Sequence, residues 1–171
     1  MSARVFTATW LGVVPAVILA TGCAVKRIDN GVYHSAKGYR VAIPGEAWTP
    51  VVDSPADLEL RHLGSAGTIA ANATCDGGMK ARRPGLLVRQ LLIGIQDRRV
   101  IESSEVDVAG HPAARALVDA RQEGSQDRVR IETIVLMDNR CVYDFMHVAP
   151  PAAFADTRDD FTRFVDSFRT E

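Results

Sequence analysis

The sequence predicts an α+β domain built on a mostly antiparallel sheet. Several segments alternate apolar and polar residues with the period of a strand, and short turns rich in Gly, Ser, Asn or Asp separate them. Two other segments, one starting at Pro84 and one close to the C-terminal end, show the apolar spacing of a helix. The predicted order is two strand pairs, a helix, a meander of strands and a closing helix, which is typical of an α+β architecture.

The first half of the domain contains the two predicted strand pairs. Tyr39 to Ile43 place alternate residues on one face, and Val32 to Ser35 are expected to form a short strand before them. Asp57 to Leu63 also alternate, and a turn of Gly, Ser and Ala leads to a partner strand from Thr68 to Cys75. Trp48 lies between the two pairs and is expected to fold back as a core aromatic.

A helix is predicted after Pro84, because proline is favoured at the first position of a helix. Leu87, Leu91 and Ile95 recur every four residues and give this helix one apolar stripe. Gly94 falls inside the stripe, where it lowers helix propensity and is expected to mark the close approach of another backbone.

The second half is expected to be a meander closed by a helix. Phe161, Phe164, Val165 and Phe168 have the spacing of one helix face, so this helix should lie across the sheet with its phenylalanines in the core. The strands of the meander are predicted at residues 99–108, 113–122, 129–137 and 141–148.

The N-terminal segment has the features of a secretory signal peptide. One basic residue, Arg4, precedes an apolar run, and the run ends in Leu19-Ala20-Thr21-Gly22-Cys23. Small residues directly before a cysteine resemble the lipobox of bacterial lipoproteins. The resemblance implies cleavage before Cys23, acylation of its thiol and amino group, and attachment to a membrane. We therefore predict a lipoprotein signal peptide at 1–22, a tether at 23–30 and a single domain at 31–171.

Two alternatives to lipidation remain open at this stage. A transmembrane anchor needs roughly 20 predominantly apolar residues, and the run from Val5 to Ala20 is shorter and contains Pro15. An ordinary secretory signal cut elsewhere would leave Cys23 free. Under the lipoprotein interpretation the protein is in the cell envelope. Where two membranes are present, Ala24 favours the outer membrane, with the domain facing the periplasm.

Once Cys23 is assigned to lipid, Cys75 and Cys141 remain as a pair. An oxidising envelope allows such a pair to form a disulfide, and both residues lie at predicted strand ends. Two buried free thiols are the alternative, because cysteine is among the most buried residue types.

The composition limits the partners of the protein. The net charge is −1, with 24% charged and 47% hydrophobic residues, which argues against disorder. This near-neutral balance lacks the basic stripe that nucleic-acid binding needs. The expected partners are the membrane, through the anchor, and an unidentified envelope protein.

Three segments resemble PsbP-like domains. Gly38 to Pro44 (GYRVAIP) followed by Trp48 resembles their opening strand, Val108 to Ala113 resembles the entry to their meander, and Phe161 to Phe168 is similar to their last helix. The resemblance implies an α/β/α sandwich. It implies no activity, because such domains occur in photosystem subunits, in a nuclear-transport cofactor and in bacterial lipoproteins of unknown role. No position matches a metal-binding motif of the photosynthetic members.

Few sequence motifs point to chemistry. The sequence contains no G-x-S-x-G nucleophile elbow, no H-E-x-x-H and no phosphate-binding G-x-x-x-x-G-K motif, so we predict no catalytic residues, no metal and no cofactor. Asp144 and His147 are three apart in a strand and should point to opposite faces. The four histidines, His34, His62, His111 and His147, lack ligand spacing.

One dense cationic stretch, Lys80, Arg82 and Arg83, precedes the first predicted helix. Cations at a helix N-terminus could bind an anion, and a solvated loop is the alternative.

These observations favour a non-enzymatic envelope lipoprotein whose domain binds or scaffolds a protein. A small-molecule or lipid-binding module is the second hypothesis, and an apolar pocket with few convergent polar groups would distinguish it. An enzyme is the third hypothesis, and it would require titratable groups with perturbed pKa values in one cleft.

Overall fold

The computed structural model describes residues 27–75, 83–121, 124 and 126–171. Within these ranges the chain forms two helices, α1 (Pro84–Leu91) and α2 (Phe154–Asp166). The strands, in chain order, are β1 (Arg27–Asp29), β2 (Val32–Ser35), β3 (Tyr39–Ala42), β4 (Trp48–Pro50), β5 (Leu58–His62), β6 (Thr68–Thr74), β7 (Arg99–Val108), β8 (His111–Arg121), β9 (Arg128–Met137), β10 (Val142–Ala149) and β11 (Arg169–Thr170).

The strands form two sheets with antiparallel pairings throughout the described residues. The small sheet has the order β1-β2-β3-β11, and the large sheet has the order β4-β5-β6-β10-β9-β8-β7. The predicted meander from β7 to β10 is present, and β10 pairs with β6 so that Val142 lies opposite Thr74. The predicted α+β class with a mostly antiparallel sheet is confirmed.

The two helices cover opposite faces of the large sheet. Val88 and Leu92, in and just after α1, pack on Ala114, Ala116 and Val118 of β8. On the other face, the phenylalanines of α2 pack on alternate residues of β10 and on the small sheet; this core includes Tyr39, Tyr143, Phe145, Phe161 and Phe164. The arrangement is the α/β/α sandwich that the resemblance implied.

The first predicted strand pair differs from expectation, because it belongs to a separate sheet. β2 and β3 pair with each other, and β3 also pairs with β11 at the C-terminal end of the chain. β1 overlaps the predicted tether of residues 23–30, since Arg27 pairs with His34 and the folded structure has therefore begun by residue 27.

The ends of both helices also differ from the prediction. α1 stops at Leu91, and the turn after it passes through Gly94 with φ +89°. This positive φ is the reason for glycine at the position. Among the described residues no atom lies within 4 Å of a Cβ built on Gly94, so the predicted close approach of another backbone is wrong. Phe168 lies beyond the end of α2 but is fully buried in the predicted core.

Trp48 and the cysteine pair match the sequence expectations. Trp48 is 3% exposed, and its Nε1 donates a hydrogen bond to Asp160 Oδ2 at 2.8 Å. Cys75 and Cys141 form a disulfide with Sγ atoms 2.00 Å apart, which joins the end of β6 to the start of β10.

Candidate functional site

An open groove of about 790 Å³ runs between α1 and strands β7 and β8. Ala113, Ala114 and Ala116 line it from β8, while Val88 of α1 and Leu92 just after the helix line the other side. The groove exists because α1 packs on β8 and β9 and leaves β7 uncovered. Alanine side chains extend only one carbon from the sheet, and they leave depth between the helix and β7. The resulting cavity is mainly apolar inside.

The start of α1 is fixed by its local sequence. Arg83 is extended (φ −70°, ψ 129°), and Pro84 follows it at the first helical position. The backbone N–H of Leu86 donates to the Arg83 carbonyl at 2.9 Å and closes the first turn. This geometry places the exposed Arg83 at the groove entrance, where it lines the cavity together with Arg89.

Polar groups are few and lie at the rim of the groove. Arg83 and Arg89 come from the α1 side, while Ser103 and Glu105 come from β7. Neither arginine forms an ion pair with a described residue. The groove therefore combines an apolar interior with an entrance that carries two arginines and one glutamate. Arg83 thus has a place in this site, whereas Lys80 and Arg82, the other two anion-binding candidates, fall outside the described residues.

Exposed apolar side chains are concentrated around the same helix. Leu86 is 52% exposed and Val100 is 54% exposed, and both line the groove. Ile93, in the turn after α1, is 72% exposed, and Ile101 of β7 is 44% exposed. Such a local concentration of large apolar residues is typical of binding surfaces.

His147 is a fully buried titratable group that faces α2. Its Nε2 lies 2.8 Å from Thr157 Oγ1, and its ring stacks between Phe154 and Phe161. Among the described residues its Nδ1 has no hydrogen-bond partner. Burial lowers the pKa of His147 to about 4, so the ring is neutral at pH 7. Asp144 faces the other side of β10, as predicted, and bonds Asn72 instead.

Glu132 is a buried charged residue that the sequence analysis did not single out. It is 3% exposed, and its carboxylate accepts hydrogen bonds from Arg115 Nε at 2.5 Å and Arg158 Nε at 3.0 Å. Arg115 also bonds Glu102 at 2.9 Å. In the sequence, the signal for this residue is an acidic side chain within the apolar run of β9. Its two arginines satisfy the buried charge and tie α2 to the sheet, which is a structural role.

A half-buried acid, Asp57, connects the two sheets. Asp57 accepts hydrogen bonds from Lys37 Nζ at 2.6 Å, Tyr39 Oη at 3.2 Å and the Ala73 backbone N–H at 2.8 Å. Burial, with help from the nearby Asp57 charge, raises the pKa of Tyr39 far above its ordinary value, so the phenol stays protonated as a donor. One carboxylate thus accepts from the β2–β3 turn, from β3 and from β6, and it holds the two sheets together.

The remaining sequence candidates are dispersed. His34 pairs with Glu171 at 3.0 Å, His62 packs on the Trp48 ring, and His111 begins β8. Within the described ranges, no group of three or more His, Cys, Asp or Glu residues could hold a metal ion. Cys23 falls outside those ranges.

Comparisons with known proteins agree with the sandwich architecture. No family model matches the sequence, and no curated protein matches it either. Among solved structures, the cyanobacterial PsbP protein CyanoP from Synechocystis aligns with a TM-score of 0.60 at 13% identity, covering 88% of this chain and 99% of that one. LpqN of Mycobacterium tuberculosis, described as involved in cell envelope biogenesis, aligns with a TM-score of 0.59 at 12% identity, covering 78% and 86%.

A third structure, a Pseudomonas aeruginosa protein of unknown function described as a putative regulator, aligns with a TM-score of 0.54 at 12% identity, covering 82% of this chain and 96% of that one. At these identities the similarity establishes a PsbP-like fold. As for membrane insertion, neither helix of the described residues has the length and apolar character needed to cross a bilayer.

Proposed function

We propose that the protein is a lipid-anchored, non-catalytic module of the cell envelope that binds an amphipathic ligand in the α1 groove. The observation that carries this proposal is the shape and chemistry of the groove: an alanine-lined floor, an apolar helix wall and two arginines at the entrance. An apolar chain that ends in an anionic group would match both parts. Its mainly apolar lining with few polar groups supports the hypothesis of a small-molecule or lipid-binding module.

Binding should depend on the interior of the groove and on its charged entrance separately. We expect a dansyl-labelled fatty acid to bind purified protein that begins at residue 23 and carries Cys23→Ser. Ser103→Phe fills the open side of the groove with an aromatic ring and should abolish the fluorescence increase. Thr49→Phe adds the same ring to exposed β4, at the opposite edge of the sheet, and is the matched control.

The charge contribution can be measured with the same probe. Arg83→Gln and Arg89→Gln should each weaken binding of the dansyl fatty acid by roughly two- to fivefold, the range expected for exposed charge pairs. A dansyl amine of equal chain length should bind more weakly than the acid to the unsubstituted protein and gain from both substitutions. Equal binding of acid and amine would rule out the arginines as the contact for the charged end of the ligand, and full binding by Ser103→Phe would rule out the groove as the site.

A protein-binding scaffold is the second candidate, and the edge of β7 favours it. β7 is the last strand of the large sheet, and Val100 and Ile101 are exposed along it. An extended peptide could add to such an edge. However, a bulge between Val100 and Glu102 interrupts this strand, and bulges protect edges from pairing. The groove therefore has the better support.

The lipid anchor is supported by the small residues before Cys23, and an envelope role is in keeping with the fold shared with LpqN, which is described as involved in cell envelope biogenesis. In cells grown with a clickable fatty acid, the wild-type protein should be labelled and Cys23→Ser should not. Equal labelling of both proteins would exclude Cys23 as the acylated residue.

A further inference from the structure

We infer that the exposed face of α1, with Arg83 just before the helix, Leu86 in its first turn and Arg89 in its last turn, contacts an anionic phospholipid bilayer when the protein is at the membrane. This inference rests on the proposed anchoring and adds an orientation and a lipid charge to it. All three residues are exposed, and Leu86 presents an apolar side chain between two cations. Apolar side chains flanked by arginines are typical of helices that lie at the interface of anionic membranes.

The charge of this part of the chain complements an anionic surface. The described residues from 83 to 96 contain two charged side chains, and both are arginines. The whole chain, by contrast, has 21 acidic and 20 basic residues. Basic side chains near anionic headgroups favour membrane contact, and salt weakens the attraction.

The first turn of α1 lies at one end of the large sheet, and the chain that follows Cys23 enters the domain at the same end. Arg27 pairs with His34, beside the β2–β3 turn, and Lys37 in that turn donates to the Ala73 carbonyl at 2.6 Å near the end of β6. At the same end of the sheet, Pro84 lines the groove together with Pro112, which is next to the β7–β8 turn.

The length of the N-terminal segment limits how far this end can be from the bilayer. Cys23 precedes Arg27 by four residues, which span at most about 14 Å when fully extended. An acylated Cys23 would therefore hold this end of the sheet close to the headgroups, and Arg83 and Leu86 are the cationic and apolar groups that α1 presents there.

Photocrosslinking can measure this orientation directly. The full chain, purified in detergent and reconstituted into vesicles, would carry a photoreactive phenylalanine at Leu86, at Ile93 or at Leu63. Leu63 is 70% exposed and lies in the β5–β6 turn, at the opposite end of the sheet, so it is the matched control. We expect cross-linking to alkyne-bearing phosphatidylglycerol to be strongest at position 86, weaker at 93 and weakest at 63.

Two further comparisons decide whether the contact is electrostatic and independent of the groove. Replacing Arg83 and Arg89 together by Gln should lower lipid cross-linking at position 86 by about tenfold. The yield should also fall in vesicles of phosphatidylcholine alone. Ser103→Phe blocks the groove and should leave the cross-linking yield unchanged. The membrane contact can therefore be tested separately from ligand binding in the groove. Equal yields at positions 86 and 63, no dependence on lipid charge, or cross-linking in whole cells to protein in place of lipid would overturn the inference.

Discussion

At the scale of single residues, the buried His147 makes the stability of the fold depend on pH. Its pKa is about 4 in the folded protein, because burial disfavours the charged ring, and near 6.5 when the chain is unfolded. Below pH 6.5 the unfolded state binds more protons, so stability is full above that pH and is lost as the pH falls toward 4. The expected loss is about 3 kcal/mol.

His147→Phe should remove this part of the pH dependence. Unfolding in urea at pH 7 and at pH 4.5 measures it for both proteins. Glu132 and Asp160 favour the charged ring while Arg158 opposes it, and these smaller effects are included in the shifted pKa. Asp119 and Asp138, whose pKa values are lowered, also destabilise the fold in acid, but they do so equally in both proteins. A variant that loses as much stability as wild type would show that His147 is not the titrating group.

At the scale of elements, sequence periodicity located the helices and hairpins because their patterns are local. Leu58 and Leu60, or Phe161 and Phe164, reveal one buried face without knowledge of the partner. The sequence does not reveal which distant strands pair in the sheet. Nothing in residues 169–170, for example, indicates that they pair with β3. The groove was missed for the same reason, since it results from α1 stopping at Leu91 and leaving β7 uncovered.

The two glycines of the α1 region should respond oppositely to alanine. Gly94→Ala forces a side chain into the left-handed region at φ +89° and should cost about 1–2 kcal/mol of unfolding free energy. Gly85 lies inside the helix, and no atom of the described residues is within 4 Å of a Cβ built on it, so Gly85→Ala should stabilise the fold by about 0.5 kcal/mol. Chemical denaturation of both variants measures the signs. Destabilisation by both would mean that the Gly85 site is more crowded than the structure indicates.

The stripe of α2 should be essential for the core, as the sequence suggested. Phe164 is fully buried and packs edge-on against Phe145 at 6.2 Å between ring centroids. Phe164→Ala should therefore cost about 3–5 kcal/mol, a large part of the stability of a domain. Arg163 is exposed and pairs with Asp160 on the same helix, so Arg163→Ala should change the melting temperature little. Similar melting of the two variants would contradict a core role for this stripe.

At the scale of the whole molecule, the Cys75–Cys141 disulfide encloses the segment that builds the proposed binding surface. The cysteines are 66 residues apart, and the enclosed chain contains α1, β7, β8 and β9. Closing a loop of this length lowers the entropy of the unfolded chain and should contribute about 4 kcal/mol. Because the two residues end neighbouring strands, the native structure needs no rearrangement to keep them adjacent when the bond is absent.

We therefore expect a double Cys75→Ala, Cys141→Ala variant to keep the fold and lose stability. Its circular dichroism spectrum and its affinity for the dansyl fatty acid should match those of wild type at low temperature, while its urea midpoint should fall. Reductant should lower the wild-type midpoint to the same value and leave the variant unchanged. Peptide mapping without reductant must find the two cysteines bridged in protein taken from the envelope. Free thiols there, or a wild-type midpoint insensitive to reductant, would mean that the bond contributes nothing to the stability of the protein in its cell.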